Sequence, residues 1–232
     1  MLKLGEKGAI PQRDSGTYAI APHIPCGMVT PELLRRIADT AEKYNAKAIK
    51  ITGATRIAIV GLKEEDIDSA WEMLNLDEGA AVGLCVRSIR TCPGNTFCKL
   101  GKQDAIKLGM KLDQDYHGKL LPGKFKMAVS GCHLSCSESW VRDIGLIAQK
   151  EGWTLVIGGN VGATPRIAQE CASGLDDDEV LSAIERVIGY YKKNAKKGKV
   201  TVGDNAFIGS HSTILKGVSI GKNSIVGACS VV

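Results

Sequence analysis

Aromatic side chains are scarce in this chain, at 5% of residues, and a surface that stacks successive bases of a single strand needs more of them. The net charge is only +5, so nucleic acid is not an expected partner. Part of that charge comes from one run, YYKKNAKKGK at 190–199, which reads as a solvated helix end or linker. No apolar run is long enough to cross a bilayer, so no membrane span is expected. The opening MLKLGEKGAI lacks the apolar stretch of a signal peptide, which makes a cytoplasmic location the expectation. A dinucleotide fingerprint is also missing: GGNVG at 158–162 ends a strand without the spacing of a flavin or nicotinamide site.

What is present first is an alternation of strand and helix patterns. TYAIAPHI (17–24) reads as a strand. TPELLRRIADTAEKYNA (30–46) reads as an amphipathic helix with Thr30 as N-cap and Pro31 at its first position. Leu33, Leu34, Ile37, Ala38 and Ala41 recur there at helical spacing. AIKIT (48–52) and RIAIVGL (56–62) read as strands, and KEEDIDSAWEML (63–74) as a second helix. This order is that of a ferredoxin-like half-domain. Farther on, KFKMAVSG (124–131) and WTLVIGGNVG (153–162) read as strands, while 136–149 mixes both signals. DDDEVLSAIERVIGYYKKNAKK (176–197) reads as a helix, acidic at its start and basic at its end as the helix dipole favours. The fold class is α+β, with a second, α/β half following the first.

The last residues change character. Val202, Ile208, Ile214, Ile220, Val226 and Val232 recur at a period of six, and glycines 203, 209, 221 and 227 follow four of them. Small residues or Val stand two positions ahead of the later members, from Ala206 to Ser230. This is the pattern of a short left-handed β-helix with about 18 residues per coil, and residues 198–232 make less than two coils.

Eight cysteines in a chain without a secretion signal point to metal or redox chemistry before disulfides. Four of them are paired in sequence: Cys92 and Cys98 at C-x5-C, Cys132 and Cys136 at C-x3-C. The wider spacing exceeds that of zinc knuckles, and Pro93 and Gly94 let the loop wrap a bulky object. A 4Fe–4S cluster leads over structural zinc and over cysteines buried by coincidence. If helical, the second pair would place both sulfurs on one face. Cys26, Cys85, Cys171 and Cys229 lack paired spacing and read as small buried apolar residues.

Taken together, TCPGNTFC (91–98), KFKMAVSGCHLSCSESWVRDIGLI (124–147) and GWTLVIGGNVGATPRIAQ (152–169) resemble the sirohaem and iron–sulfur half of the sulfite and nitrite reductases. IPCGMVTPELLRRIADTAEKY and IKITGATRIAIVGL resemble the ferredoxin-like half-domain that accompanies it. The resemblance covers about residues 1–197, at the length of the small assimilatory-type sulfite reductases. It implies a ferredoxin-like half-domain at 1–78 and a sirohaem and cluster domain at 79–197, with the repeat tail at 198–232 outside it. It implies Cys92, Cys98, Cys132 and Cys136 as cluster ligands, with Cys136 bridging to the sirohaem iron. It implies Arg56, Arg87, Lys124 and Lys126 as the basic substrate residues, with Arg90 a rival to Arg87. Gly159, Asn160 and Arg166 would lie in the stretch packed against the macrocycle.

The implied activity is reduction of sulfite, or of nitrite, with electrons from a ferredoxin-type protein. A basic pocket suits this chemistry, because sulfite is an oxyanion and sirohaem carries many carboxylates. Two departures bear on the choice of substrate: His133 and Leu134 stand where the family more often has Pro-Asn, and Ile57 where it has Gln. Without the resemblance, Arg56 and Arg87 would be surface arginines, and Lys124 and Lys126 one solvent face of a strand. His23 and His117 carry no motif and read as structural or exposed. A non-catalytic tetrapyrrole or cluster carrier remains a rival, one that has no need of Arg56, Lys124 and Lys126 together. The tail resembles hexapeptide-repeat acyltransferases. It is too short for their activity, His211 included, which leaves a fused fragment, an oligomerisation or packing module, or a joined reading frame.

Overall fold

A computed structural model of the chain describes residues 1–195, 200–212, 214, 217–230 and 232. The last residues of the expected 176–197 helix and of the basic run at 190–199 lie outside them. The chain divides into two units, Met1–Arg186 and Val187–Val232, so the regions expected as domains 1–78 and 79–197 share the first unit as far as Arg186.

The first unit opens with β1 (Ala9–Pro11), β2 (Tyr18–Ile20), α1 (Pro31–Lys43), β3 (Ala48–Ile51), β4 (Ile57–Leu62) and α2 (Ile67–Leu74). The strands form one antiparallel sheet in the order β1-β2-β4-β3. The expected ferredoxin-like order is present, with β1 an addition the sequence pattern did not suggest. Thr30 caps α1 by accepting from the Leu33 N–H at 3.2 Å, which satisfies one of the donors a helix start leaves free. Ile37 and Ala41 of α1 pack with Ile20, Ile59, Leu62, Ile67, Trp71 and Leu74 in one core. Each fully buried Ile or Leu among them contributes about 1.5–3 kcal/mol by leaving water. Leu34, expected on the same face, is 45% exposed; the sheet covers a narrower stripe of the helix than its apolar pattern spans.

The second half carries β5 (Arg90–Thr91), α3 (Gly94–Phe97), α4 (Ala105–Tyr116), β6 (Met127–Ser130), β7 (Ile144–Ala148), β8 (Trp153–Ile157), β9 (Gln169–Leu175) and α5 (Asp177–Asn194). The sheet runs β5-β6-β7-β8-β9, parallel across its first two pairs and antiparallel across the last two. β6 and β7 are buried along their whole length, as continuous apolar runs in a covered sheet should be. β9 is exposed at most positions and left no apolar alternation to find. Parallel neighbours cannot be joined by a tight turn, so β5–β6 and β6–β7 each need a crossover. The first crossover contains α4, which the sequence reading missed although Ala105, Leu108 and Leu112 mark its buried face. At α5, Asp176 and Glu179 exchange side-chain to backbone bonds at 2.8 and 3.0 Å, a capping box.

In the second unit, β10 (Thr201–Val202) pairs in parallel with β12 (Ser219–Ile220), and β11 (Phe207–Ile208) with β13 (Ile225–Val226). Val202 stands beside Ile220 and Ile208 beside Val226, one 18-residue coil apart. A Cβ on Gly209 would lie 2.3 Å from the Ala228 nitrogen, which is why the repeat keeps glycine there.

Candidate functional site

The cysteine pairs occupy the two crossovers. β5 ends one residue before Cys92 and β6 two residues before Cys132, and the strands pair in parallel with Thr91 beside Val129. Both loops therefore leave the same edge of the sheet side by side. The first loop closes with α3, whose Gly94 carbonyl accepts from the Cys98 N–H at 2.9 Å. The second is a turn and not the helix considered from spacing: Ser135 has φ 52 and its N–H donates to the Cys132 carbonyl at 3.2 Å. A buried hydroxyl set fixes this turn, with Ser130 bonded to Ser137 at 2.6 Å and to Ser139 at 2.8 Å. The loops meet where the Gly131 N–H donates to Cys92 Sγ at 3.0 Å and the Lys102 N–H to the Gly131 carbonyl at 2.7 Å.

All eight cysteines are free. Among the described residues, no three of the paired thiols have ligand atoms within 4.8 Å of one another. Tetrahedral zinc would hold its sulfurs about 3.8 Å apart, closer than these thiols stand as a set. An N–H aimed at a ligating sulfur is also a means by which proteins tune iron–sulfur clusters. The four cysteines fit a cluster by donor type, loop placement and spacing. Of the unpaired ones, Cys26 and Cys85 are buried as expected, and burial, with the Asp113 charge, pushes the Cys26 thiol up to about 12. Cys171 and Cys229 are exposed, contrary to expectation: one lies on edge strand β9, the other in a turn of the repeat.

A cavity of about 250 Å³ is lined by Arg56, Arg87, Arg90, Lys124, Lys126 and Arg142, and it connects to the second cysteine loop through Glu138, two residues after Cys136, which accepts from Arg90 and Arg142. Each comes from a different local device. Arg56 follows the β3–β4 turn, where Thr52 Oγ1 accepts from its N–H at 3.1 Å. Arg87 lies beside the Val86–Phe125 bridge and donates to the carbonyls of Ala81 and Gly83. Lys124 and Lys126 alternate around Phe125 and share a face that lines the cavity, Lys126 half-buried and Lys124 exposed. Arg90 and Arg142 both donate to the Glu138 carboxylate. Arg87 and its rival Arg90 thus both line the cavity. Arg142 had no motif to reveal it.

Such crowding of like charge changes the groups. Burial, with the Lys124 and Arg142 charges behind it, holds the Lys126 ammonium below the usual lysine range. Burial and then Arg87 push Arg56 down to about 10. Arg142 is lowered by burial and then Arg90, and its Nε is buried without a partner.

Behind Arg56 stand residues that the sequence reading left aside. Arg56 is 3% exposed and donates from Nε to Ser88 Oγ at 2.8 Å and from Nη1 to the Ala21 carbonyl at 2.8 Å. Its Nη2 lies 3.0 Å from His117 Nε2. His117 stacks on His23 with ring centroids 3.5 Å apart, and His23 Nε2 lies 2.6 Å from the buried Asp113 carboxylate. Gly159 sits against backbone, where a Cβ would come within 2.6 Å of the Trp140 carbonyl. Asn160 and Arg166 pair through two backbone bonds in an exposed hairpin loop. The structure brings Arg56, Arg87, Lys124 and Lys126 to one cavity and the two cysteine pairs to one sheet edge. Arg166 is not among the cavity's lining residues.

Comparison with known proteins gives three family matches. Residues 82–201 match the nitrite and sulphite reductase 4Fe-4S domain, residues 10–76 the nitrite/sulfite reductase ferredoxin-like half domain, and residues 199–232 the bacterial transferase hexapeptide (six repeats). The chain is 44% identical over 191 residues to the assimilatory-type sulfite reductase of Nitratidesulfovibrio vulgaris, covering 82% of this chain and 88% of that protein. It is 38% identical over 184 residues to a nitrite reductase (NAD(P)H) of Bacillus subtilis, but spans only 23% of that longer protein. Among solved structures, dissimilatory sulfite reductase I shares the fold with a TM-score of 0.69 at 15% identity, over 78% of this chain and 64% of that one. No helix among the described residues is long and apolar enough to cross a membrane.

Proposed function

Because the chain belongs to the nitrite and sulphite reductase family, we propose that it reduces sulfite to sulfide in the cytoplasm, with electrons from a ferredoxin-type protein. The observation that carries this reading is the meeting of six cationic side chains in one cavity, two of them bonded to Glu138 at the end of a thiol-bearing loop. Sulfite is favoured over nitrite by the 44% identity to a sulfite reductase of similar length.

Cys92, Cys98, Cys132 and Cys136 would hold a 4Fe–4S cluster, and the cationic cavity would take sirohaem carboxylates as well as substrate. When bound, these groups would relay the donor's electrons and supply the iron at which sulfite is reduced. The chain itself supplies charge, orientation and protons. Arg56, fixed from behind, presents donors to an oxyanion without having to be ordered on binding. Lys126 has the attribute of a proton donor: burial among cations makes its ammonium readier to release a proton than a solvated lysine. Lys124, exposed at the rim, adds charge that draws anions inward. Removal of the oxyanion's oxygens as water consumes protons, and a lysine that regains its proton from solvent can deliver them repeatedly.

The test is anaerobic turnover of the purified protein with a one-electron dye as donor. Sulfide should form in proportion to sulfite consumed, at six electrons for each sulfite. Dye oxidation without sulfide would count against the reading.

A further inference from the structure

The stacked pair His23 and His117, with Asp113, brings three ligand atoms within 4.8 Å of one another, a grouping that invites a metal. The hydrogen bonds argue otherwise. An arginine offers only donors, so His117 Nε2 must accept from Arg56 and has no lone pair left for a metal. Its proton then sits on Nδ1. The other branch leads from Arg56 Nε to Ser88 Oγ, from Ser88 Oγ to His23 Nδ1 at 3.3 Å, and from His23 Nε2 to Asp113 Oδ2 at 2.6 Å. With His23 protonated on Nε2, every donor along this branch meets an acceptor, and the branch ends on a carboxylate that is 6% exposed.

We infer that His117, Ser88, His23 and Asp113 form a positioning network that holds the Arg56 guanidinium in one orientation, so that its remaining donors face the cavity where an oxyanion binds. Arg56 has five N–H groups, and the three bonds to Ser88, Ala21 and His117 leave one on each terminal nitrogen. One free N–H on each of two neighbouring nitrogens offers an oxyanion two donors. Fixing them in advance removes the ordering that a mobile side chain would undergo on binding. Asp113 supports the guanidinium charge from beyond the ring, while Arg87 opposes it from the cavity side. His117 stays neutral in this arrangement: burial first, then His23, hold it down at about 4.

The inference deepens the proposed role of the cavity and rests on it. Its test is calorimetric titration of the anaerobic holoprotein with sulfite, a reading of binding that needs no turnover. His117→Gln keeps an acceptor for Arg56; His117→Leu removes it. The expected result is sulfite binding weakened about tenfold in H117L, the scale of one hydrogen bond to a charged group. H117Q should restore it to within about threefold. KM should follow the dissociation constant while kcat and the haem absorbance for each chain change less. Wild-type affinity in H117L, or equal weakening in both variants, would overturn the inference. Should H117L fail to fold, Ser88→Ala removes the Nε acceptor instead and should weaken binding in the same way; unchanged affinity there is equally contrary. A protein that binds sulfite with this pattern yet never yields sulfide would refute the catalytic reading and leave the positioning network in place.

Discussion

The Gly131 N–H points at Cys92 Sγ from 3.0 Å, joining the second cysteine loop to the first. The contact exists because Gly131 has no side chain: a Cβ there would come within 2.5 Å of Gly94 Cα. Two glycines on neighbouring crossovers thus set how closely the loops approach.

Gly131→Ala should therefore spread the loops. Overpacking of this kind costs about 1–3 kcal/mol, and lengthening of the N–H···Sγ bond to Cys92 adds to it. The expected outcome is a protein that folds but carries less iron and acid-labile sulfide than wild type, measured on parallel anaerobic preparations. Equal loading would mean the loops do not depend on this approach.

Lys126→Ala should lower the rate of sulfite reduction by about 10²-fold, the lower end of what a positioned proton donor contributes. The haem spectrum should be unchanged, since other cations line the cavity. A rate within twofold of wild type would remove Lys126 from the reaction.

Glu138 holds Arg90 and Arg142 together. Glu138→Gln leaves two cations facing each other with one buried Nε still unpartnered. The loss should be about 1–2 kcal/mol in urea unfolding. It falls below the 3–5 kcal/mol of a fully buried pair because the Glu138 side chain is half exposed. Sulfite affinity should rise slightly as net positive charge in the cavity rises.

His117 makes the protein sensitive to acid. Its value falls from the ordinary 6.5 to about 4 on folding, so between those values the unfolded chain holds the proton and the folded one does not. Stability should then fall as pH drops from about 6.5 to about 4, and recover as pH rises. Urea midpoints at pH 7 and pH 5 should differ more for wild type than for His117→Gln. Equal differences would place the acid sensitivity elsewhere.

The sequence made much of this legible where chemistry imposes spacing. The cysteine pairs, Arg56 and the alternating Lys124 and Lys126 could be read because family motifs mark them, and the tail because its period is strict. Helix α4 was readable from Ala105, Leu108 and Leu112, and the parallel β5–β6 pairing demanded such a crossover. The histidine network was not: His23 and His117 lie far apart in sequence and carry no period, and only the tertiary fold stacks them. Arg142 and Glu138 were hidden for the same reason, being defined by what they face.

The most direct measurement is an absorption spectrum of the anaerobically purified protein, with iron and acid-labile sulfide determined on the same sample. Sirohaem bands, about five irons for each chain and about four sulfides are expected, as one cluster and one haem require. A protein that stays colourless after reconstitution with iron, sulfide and sirohaem would contradict that expectation.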